Sequence, residues 1–159
     1  MINYGYMNFI AVIDNNIIDR LLLLDSELVR KLNDKVIFRT HHNIFEETKA
    51  CNNEEKKQNL LQMYPKFEIK TVNDNSFPMR LPATLYGDEA WNMQRLFMMN
   101  RSPTINNRND SLLILMQCGN QLSNQESVLI SDNKKDFQNF CSNNNINWYD
   151  WKSFEKSLF

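Results

Sequence analysis

The sequence predicts an α/β protein, a three-layer α/β/α sandwich around a central, mainly parallel sheet. Short apolar runs alternate along the chain with amphipathic segments, which favours parallel strands joined by helices. The first run extends from Phe9 to Asn16 and stays apolar until it ends abruptly in Asp14-Asn15-Asn16. That pattern is typical of a strand buried on both faces, and its carboxyl end delivers Asp14 to the rim of the sheet, where ligands bind in open α/β sheets.

The first half of the chain contains further predicted elements. A helix over 17–24 starts at the Asn15-Asn16 pair, and Asp25-Ser26-Glu27 opens a second helix. Val36-Ile37-Phe38 predicts a short second strand. The remaining predictions are a helix over 44–50, a polar helix over 54–64, and a strand or extended edge segment over 67–72.

The second half begins with a loop-like stretch over 73–82, in which Pro78 and Pro82 disfavour regular secondary structure. Helices are predicted over 89–99, 110–122 and 134–142, and a polar connector over 103–108 precedes the second of them. Buried strands are predicted at 127–131 and 146–151. The chain then reaches a turn of helix over 153–158.

Composition favours one ordinary globular domain. The chain has 159 residues, 42% hydrophobic and 23% charged, with three glycines and four prolines. The net charge of −1 provides no global basic field for nucleic acid. This weakens a nuclease interpretation but does not exclude it, because an acidic metal site lowers the net charge of an enzyme that binds phosphate locally.

Compartment is predicted from three further features. Cys51, Cys118 and Cys141 are odd in number and lack Cys-x-x-Cys spacing, which argues against a disulfide framework or structural zinc. The amino-terminal residues show no signal-peptide pattern. The longest apolar run, over 17–24, is too short to cross a bilayer and contains Asp19 and Arg20. We therefore predict a cytoplasmic protein without membrane contact.

Acidic residues fall where predicted strands end or where the following helices run. In a parallel sheet those positions share one edge, so side chains from distant parts of the chain are expected in one cleft. Packed carboxylates repel one another unless a cation neutralises them, and oxygen ligands suit Mg²⁺ or Mn²⁺. The acids at such positions are Asp14, Glu46, Glu47, Asp110, Asp132 and Asp136.

The order of four segments resembles the PIN-domain nucleases, including the VapC-like ribonucleases. These segments are Asp14-Asn15-Asn16, Ile44-Phe45-Glu46-Glu47, Asn109-Asp110 and Ile130-Ser131-Asp132-Asn133-Lys134-Lys135-Asp136-Phe137. The resemblance implies a PIN-like sandwich over 1–159, with 51–108 as a family-variable helical and loop segment. It also implies a Mg²⁺- or Mn²⁺-dependent endoribonuclease, many of whose relatives are toxins of toxin–antitoxin pairs or act in defence.

Three acids carry over by position from that resemblance. Asp14 matches the first family acid, with Asn16 as its polar neighbour. Glu47 matches the second because Ile44 lies three residues before it. Glu46 is the alternative by a register slip, and Asp110 matches the third acid.

The fourth acid stays open between two aspartates. Asp132 fits as the acid at the strand end and would then join Asp14 and Asp110 as a metal ligand. Ser131 to Phe137 also resembles a Thr-x-Asn-x-x-Asp-Phe variant, which favours Asn133 and Asp136. Both aspartates are predicted to line the site, with Ser131 and Asn133 in supporting positions.

Each of these residues also has a structural interpretation. Asp14, Asp110 and Asp132 could cap helices, and Glu46-Glu47 could be a solvated helix face. Lys134 and Lys135 could hold the RNA backbone near the metals or simply be exposed.

The functional prediction is a metal-dependent endoribonuclease that acts on single-stranded or tRNA-like RNA. Predicted partners are RNA, an antitoxin or defence-complex protein, and a second copy of the chain. Two alternatives stay open: a catalytically idle PIN-like scaffold module in a larger complex, and a structure-specific DNA nuclease.

Overall fold

The computed structural model describes residues 8–73 and 87–158. The strands are β1 (Phe9–Ile13), β2 (Val36–His41), β3 (Lys70–Val72), β4 (Ser127–Ile130) and β5 (Trp148–Tyr149). The helices before the undescribed segment are α1 (Asn15–Leu22), α2 (Ser26–Lys35), α3 (His42–Lys49), α4 (Glu54–Leu61) and α5 (Met63–Lys66). The helices after it are α6 (Gly87–Met98), α7 (Ile105–Leu122), α8 (Lys134–Asn143) and α9 (Trp151–Leu158).

The five strands form one sheet in the order β3-β2-β1-β4-β5, and each neighbouring pair is parallel. The strand order reverses between β1 and β4, so these two strands flank the switch point of the sheet. In register, Ile13 pairs with Ile130, which places Asp14 and Ser131 side by side at the carboxyl edge. This edge is where an open α/β sheet offers a crevice to a ligand.

Side chains alternate along β1 between two hydrophobic cores, which creates the three layers. Phe9, Ala11 and Ile13 face the core built with α1, α2, α4, α5 and α9. Val12 faces the other core, which is built mainly by α6, α7 and α8. The predicted α/β/α sandwich with a parallel sheet is therefore confirmed, and it is PIN-like in architecture.

Several predicted boundaries were wrong by part of an element. The polar connector over 103–108 is only partly a connector, because α7 already begins at Ile105. The predicted helix over 54–64 is two helices, α4 and α5. The last strand is confined to Trp148–Tyr149, and α9 starts at Trp151, inside the predicted strand.

Most of the loop-like stretch predicted over 73–82 lies outside the described residues. Within the part of the chain that the structure describes, no helix is long and apolar enough to cross a membrane.

Candidate active site

A polar cleft of about 420 Å³ opens at the carboxyl edge of the sheet, beside the switch point. Four of the predicted acids line it, each from a different part of the chain. The other lining residues are uncharged and polar. The full lining consists of Asp14, Asn15, Asn16, Glu47, Thr104, Asn106, Asn107, Asp110, Asn133 and Asp136.

Asp14 lies at the floor of this cleft and is held from several sides. It is the N-cap of α1, and its Oδ1 accepts a 2.7 Å hydrogen bond from the Asn15 backbone N–H. Its Oδ2 accepts a 2.7 Å bond from the Ser131 hydroxyl and a longer one, 3.4 Å, from Asn16. The capping role and a ligand role are compatible, because the carboxylate has about four lone-pair sites and accepts three bonds, all from uncharged donors. Burial raises the pKa of Asp14, more than the bonds from Ser131 and Asn15 lower it.

Asn16, Ser131 and Asn133 brace the floor, as their predicted supporting positions imply. Asn16 Oδ1 accepts the Asp132 backbone N–H at 3.2 Å, which ties α1 to the turn after β4. Ser131 Oγ accepts the Asn133 backbone N–H at 3.1 Å while it donates to Asp14. These bonds fix the direction of the Asp14 carboxylate relative to both strands that flank the switch point.

Glu47 reaches the cleft from α3 and contacts a residue of α7. Its Oε1 accepts a short hydrogen bond from the Asn109 side-chain amide. Burial raises the pKa of Glu47, the nearby Asp14 charge adds to the rise, and the Asn109 bond opposes it. Glu46, the register alternative, is half exposed, and pairs instead with His42 and Lys49 at the surface.

Asp110 is buried in the cleft beside three other acids. It lies in the second turn of α7, beyond the Thr104 cap, and only 7% of it is exposed. Burial and the charges of Asp14, Asp136 and Glu47 together raise its pKa to about 8. Its carboxylate accepts no hydrogen bond from any residue that the structure describes. Asp110 is therefore not a helix cap. Among the described residues, the charge of Arg101 is the one influence that lowers its pKa.

Asp136 completes the acidic lining from the first turn of α8. Its Oδ1 accepts a 2.9 Å ion-pair bond from Arg101 Nη1. Its Oδ2 accepts a 2.7 Å bond from the Asn133 side-chain amide. Of the two aspartates left open for the fourth position, Asp136 is the one that lines the cleft.

Asp132 follows β4 and has structural contacts on another side. Its Oδ2 pairs with Arg20 Nε at 2.8 Å, and its Oδ1 accepts the Trp151 backbone N–H at 2.9 Å. It lines a separate pocket together with Arg20, Lys134 and Trp151. Asp132 is near enough to add to the rise in the pKa of Asp14, but the structure does not bring it into the same cleft.

The two predicted RNA-binding lysines lie on α8 and are exposed. Lys134 Nζ contacts Asp150 Oδ2 at 3.0 Å and borders the separate pocket. Neither lysine lines the acidic cleft.

Sequence reasoning missed the residues that hold the acids in place. Asn109 was quoted only as the neighbour of Asp110, yet it bonds Glu47 across 62 positions. Asn15 Oδ1 accepts a 2.8 Å bond from Thr48 Oγ1, which links α1 to α3. Arg101 carried no local signal. The asparagines flanking Asp14 and Asp110 were the available clue, because amides beside acids suit carboxylate positioning.

The donor set fits a hard divalent cation. Asp14, Glu47, Asp110 and Asp136 offer oxygen ligands. The charges of neighbouring acids contribute to raising the pKa of Asp14, Glu47 and Asp110, as expected for carboxylates that repel one another. Among residues 8–73 and 87–158, however, no three Asp, Glu, His or Cys side chains stand together at ligand distance from a common point. Side-chain rotation toward the centre of the cleft would therefore accompany binding of an ion.

The comparisons with known proteins concern the fold. No protein-family profile and no curated protein sequence matches the chain. One similar solved structure is VapBC2 from Rickettsia felis bound to a DNA fragment from their promoter, with a TM-score of 0.54 and 16% identity. The match covers 90% of this chain and 99% of that one. At this identity the likeness supports the architecture alone, so the chemistry has to be argued from the residues of the cleft.

Proposed function

We propose that the protein is a metal-dependent endoribonuclease that hydrolyses RNA phosphodiester bonds. The observation that carries the proposal is Asp110. A nearly buried carboxylate faces three other carboxylates in one cleft, and no described residue donates a hydrogen bond to it. Such a group is destabilising in an apo protein, and a divalent cation is the partner that offsets it.

Asp14, Glu47 and Asp110 would hold Mg²⁺ or Mn²⁺ in this proposal. When bound, such an ion activates a water and stabilises the leaving oxygen of a phosphodiester. Ser131 and the Asn15 N–H fix the Asp14 carboxylate, and Asn109 fixes Glu47. These bonds reduce the reorganisation that the acids undergo during the reaction.

Part of the cleft lining suits an anionic substrate. Thr104, Asn106 and Asn107 lie at the start of α7, next to Asp110, and carry no charge. Their side chains can hydrogen-bond a phosphate without adding negative charge. Unstacked single-stranded or loop RNA, including tRNA, is the substrate class that we propose, because its backbone can enter a cleft at the sheet edge without a paired strand, with Lys134 and Lys135 on flanking nucleotides.

The biological context that we propose is a toxin paired with an antitoxin, or an effector of a defence complex. Support comes from the VapBC2 likeness, since that assembly was solved with a partner and with promoter DNA. A homodimer belongs to the same proposal.

A second candidate is the catalytically idle PIN-like module in a larger complex. Two specific observations favour it. Asp136 is already paired with Arg101, and no three acidic, histidine or cysteine side chains of the described residues stand at ligand distance.

The test is cleavage of matched RNA and DNA oligonucleotides with Mn²⁺ by the parent, Asp14→Asn and Asp19→Asn. Asp19 lies on α1 and pairs at the surface with Lys56, so it controls for loss of a carboxylate. We expect RNA cleavage to fall at least ~100-fold in Asp14→Asn, because loss of a ligand should exceed loss of an outer partner, which lowers activity roughly 10–100-fold. Asp19→Asn should match the parent. Equal cleavage by Asp14→Asn would contradict the proposed site, preferential cleavage of DNA would favour the DNA nuclease, and an inactive parent would favour the idle module.

A further inference from the structure

We propose that Arg101 takes the place of a second metal ion beside Asp136, so that the cleft binds one divalent cation and uses the arginine as its other, permanent positive charge. This inference rests on the proposed function, because it concerns how many ions the same cleft holds. It makes Arg101 a positioning residue and removes Asp136 from the ligand set.

The guanidinium of Arg101 is held by hydrogen bonds to two backbone carbonyl groups and by contact with an aromatic ring. Nε donates to the Phe97 carbonyl oxygen at 2.7 Å, and Nη2 donates to the Asp136 carbonyl oxygen at 3.1 Å. The guanidinium carbon lies 3.8 Å from the centroid of the Phe97 ring, which is itself buried. A planar, permanently charged group with this many directional contacts does not leave its position easily.

Both oxygens of Asp136 are hydrogen-bonded, and one of the partners, Arg101, is a cation that already balances the carboxylate charge. Oδ1 is taken by Arg101 Nη1 at 2.9 Å and Oδ2 by the Asn133 amide at 2.7 Å. Asn133 is in turn held through its backbone N–H by Ser131, the residue that also bonds Asp14. The carboxylate of Asp136, which is part of the cleft lining, therefore anchors Arg101, whereas the Asp110 carboxylate has no such partner among the described residues.

The positive charge of Arg101 beside Asp136 opposes the binding of a second divalent ion there. Arg101 acts on the electrostatics of Asp110, so its charge is felt inside the cleft and not only at the surface. A second divalent ion near Asp136 would be repelled by the guanidinium and would also have to displace it from a carboxylate oxygen. An ion between Asp14, Glu47 and Asp110 meets no such competitor.

Isothermal titration of the full chain with Mn²⁺ tests the inference through stoichiometry, which does not depend on activity. The parent should bind one ion. Arg101→Gln removes the charge and should bind two, the second more weakly. Arg95→Gln is the matched control, because Arg95 is an exposed arginine of α6 that donates to the Asn92 side chain and not to an acid of the cleft, and it should bind one ion.

A second variant covers the case in which Arg101→Gln does not fold. Asp136→Asn keeps an oxygen for Arg101 and should change Mn²⁺ affinity by less than about tenfold, the lower range for an outer partner. Asp110→Asn should abolish detectable binding. An equal loss in Asp136→Asn and Asp110→Asn would make Asp136 a ligand and overturn the inference.

The outcomes separate the two proposals. Two ions bound by the parent, or one ion bound by folded Arg101→Gln, would overturn the role of Arg101 and leave a metal-dependent nuclease intact. No Mn²⁺ binding by the parent would overturn the proposed function and this inference together.

Discussion

Asp110 is a single side chain at which the requirements of the cleft and of the fold conflict. Its position in α7 is buried, and three further carboxylates lower the stability of its charged form. The cleft would lose its central oxygen donor if the fold placed an apolar residue here. The conflict should be measurable as a pH dependence of stability.

We predict that the metal-free protein becomes less stable as the pH rises from about 4 to about 8. Burial and the neighbouring carboxylates raise the folded-state pKa of Asp110 from its ordinary range to about 8, so the folded chain holds a proton in this window that the unfolded chain has lost. The stabilisation from this proton is fully present below the unfolded-state pKa and is lost as the pH rises through the folded-state pKa, by an amount on the order of 5 kcal/mol. Asp14 and Glu47 contribute in the same direction, because burial raises the pKa of both.

Urea unfolding in the presence of a chelator at several pH values measures this effect. Asp110→Asn should flatten the decrease between pH 4 and 8 and should be more stable than the parent at pH 8. Glu55→Gln, at an exposed acid of α4, should keep the parent's profile. An unchanged slope in Asp110→Asn would mean that the carboxyl titrates normally in the folded chain.

The acids were predictable from the sequence, whereas their partners were not. Asp14, Glu47, Asp110 and Asp136 follow from motif order and from their positions after strands or on helices, and all four line one cleft. The contact between Asn109 and Glu47 and that between Arg101 and Asp136 join residues 62 and 35 positions apart. Their geometry depends on how α3, α6, α7 and α8 pack, which periodicity does not encode.

At the scale of elements, the start of α7 decides how Asp110 is presented. Thr104 is the N-cap, and its Oγ1 accepts the Asn107 backbone N–H at 3.1 Å. The prediction placed this helix start at Asp110, because the apolar periodicity begins only at Leu112, and the first turn is exposed and polar. The Thr104-Ile105-Asn106-Asn107 stretch was the available signal, since threonine before a polar turn is a capping pattern.

We predict that Thr104→Ala destabilises the protein and weakens the cleft. Loss of the cap bond should lower the free energy of unfolding by about 1 kcal/mol. Thr104 and Asn107 also line the cleft, so fraying of this turn should weaken Mn²⁺ binding as well. Denaturant unfolding and titration calorimetry measure the two effects.

Asn53→Ala is the matched control for Thr104→Ala. Asn53 caps α4, where its Oδ1 accepts the Lys56 backbone N–H at 3.0 Å, and it does not line the cleft. It should lose a similar stability and keep the parent's Mn²⁺ affinity. The same affinity loss in both variants would indicate a global effect of instability.

At the scale of the whole molecule, the parallel sheet is what gathers the site. Residues Asp14 and Ser131 are 117 positions apart in sequence and share a hydrogen bond, because β1 and β4 are neighbours on either side of the switch point. The alternation of strands and helices was enough to predict this architecture. It was not enough to separate Asp132 from Asp136, since both follow the same strand within one turn and only the packing of α1 and α9 draws Asp132 toward Arg20 and the Trp151 N–H.

The carboxylates gathered at this edge should couple Mn²⁺ binding to proton release, and through it to the stability of the whole fold. Ligand carboxyls must be ionised to hold Mn²⁺, so binding should tighten as the pH rises from 5.5 to 8. A folded chain with ligand at 100 times its Kd gains about 2.7 kcal/mol. Stability with saturating Mn²⁺ should therefore rise relative to the metal-free protein toward pH 8, which opposes the trend without metal.

Because Asp110 is mostly protonated at pH 7, calorimetry in buffers of different ionisation enthalpy should detect the release of about one proton per ion. If Mn²⁺ raised the free energy of unfolding equally at pH 5.5 and pH 8 and released no proton, the bound ion would lie away from Asp110.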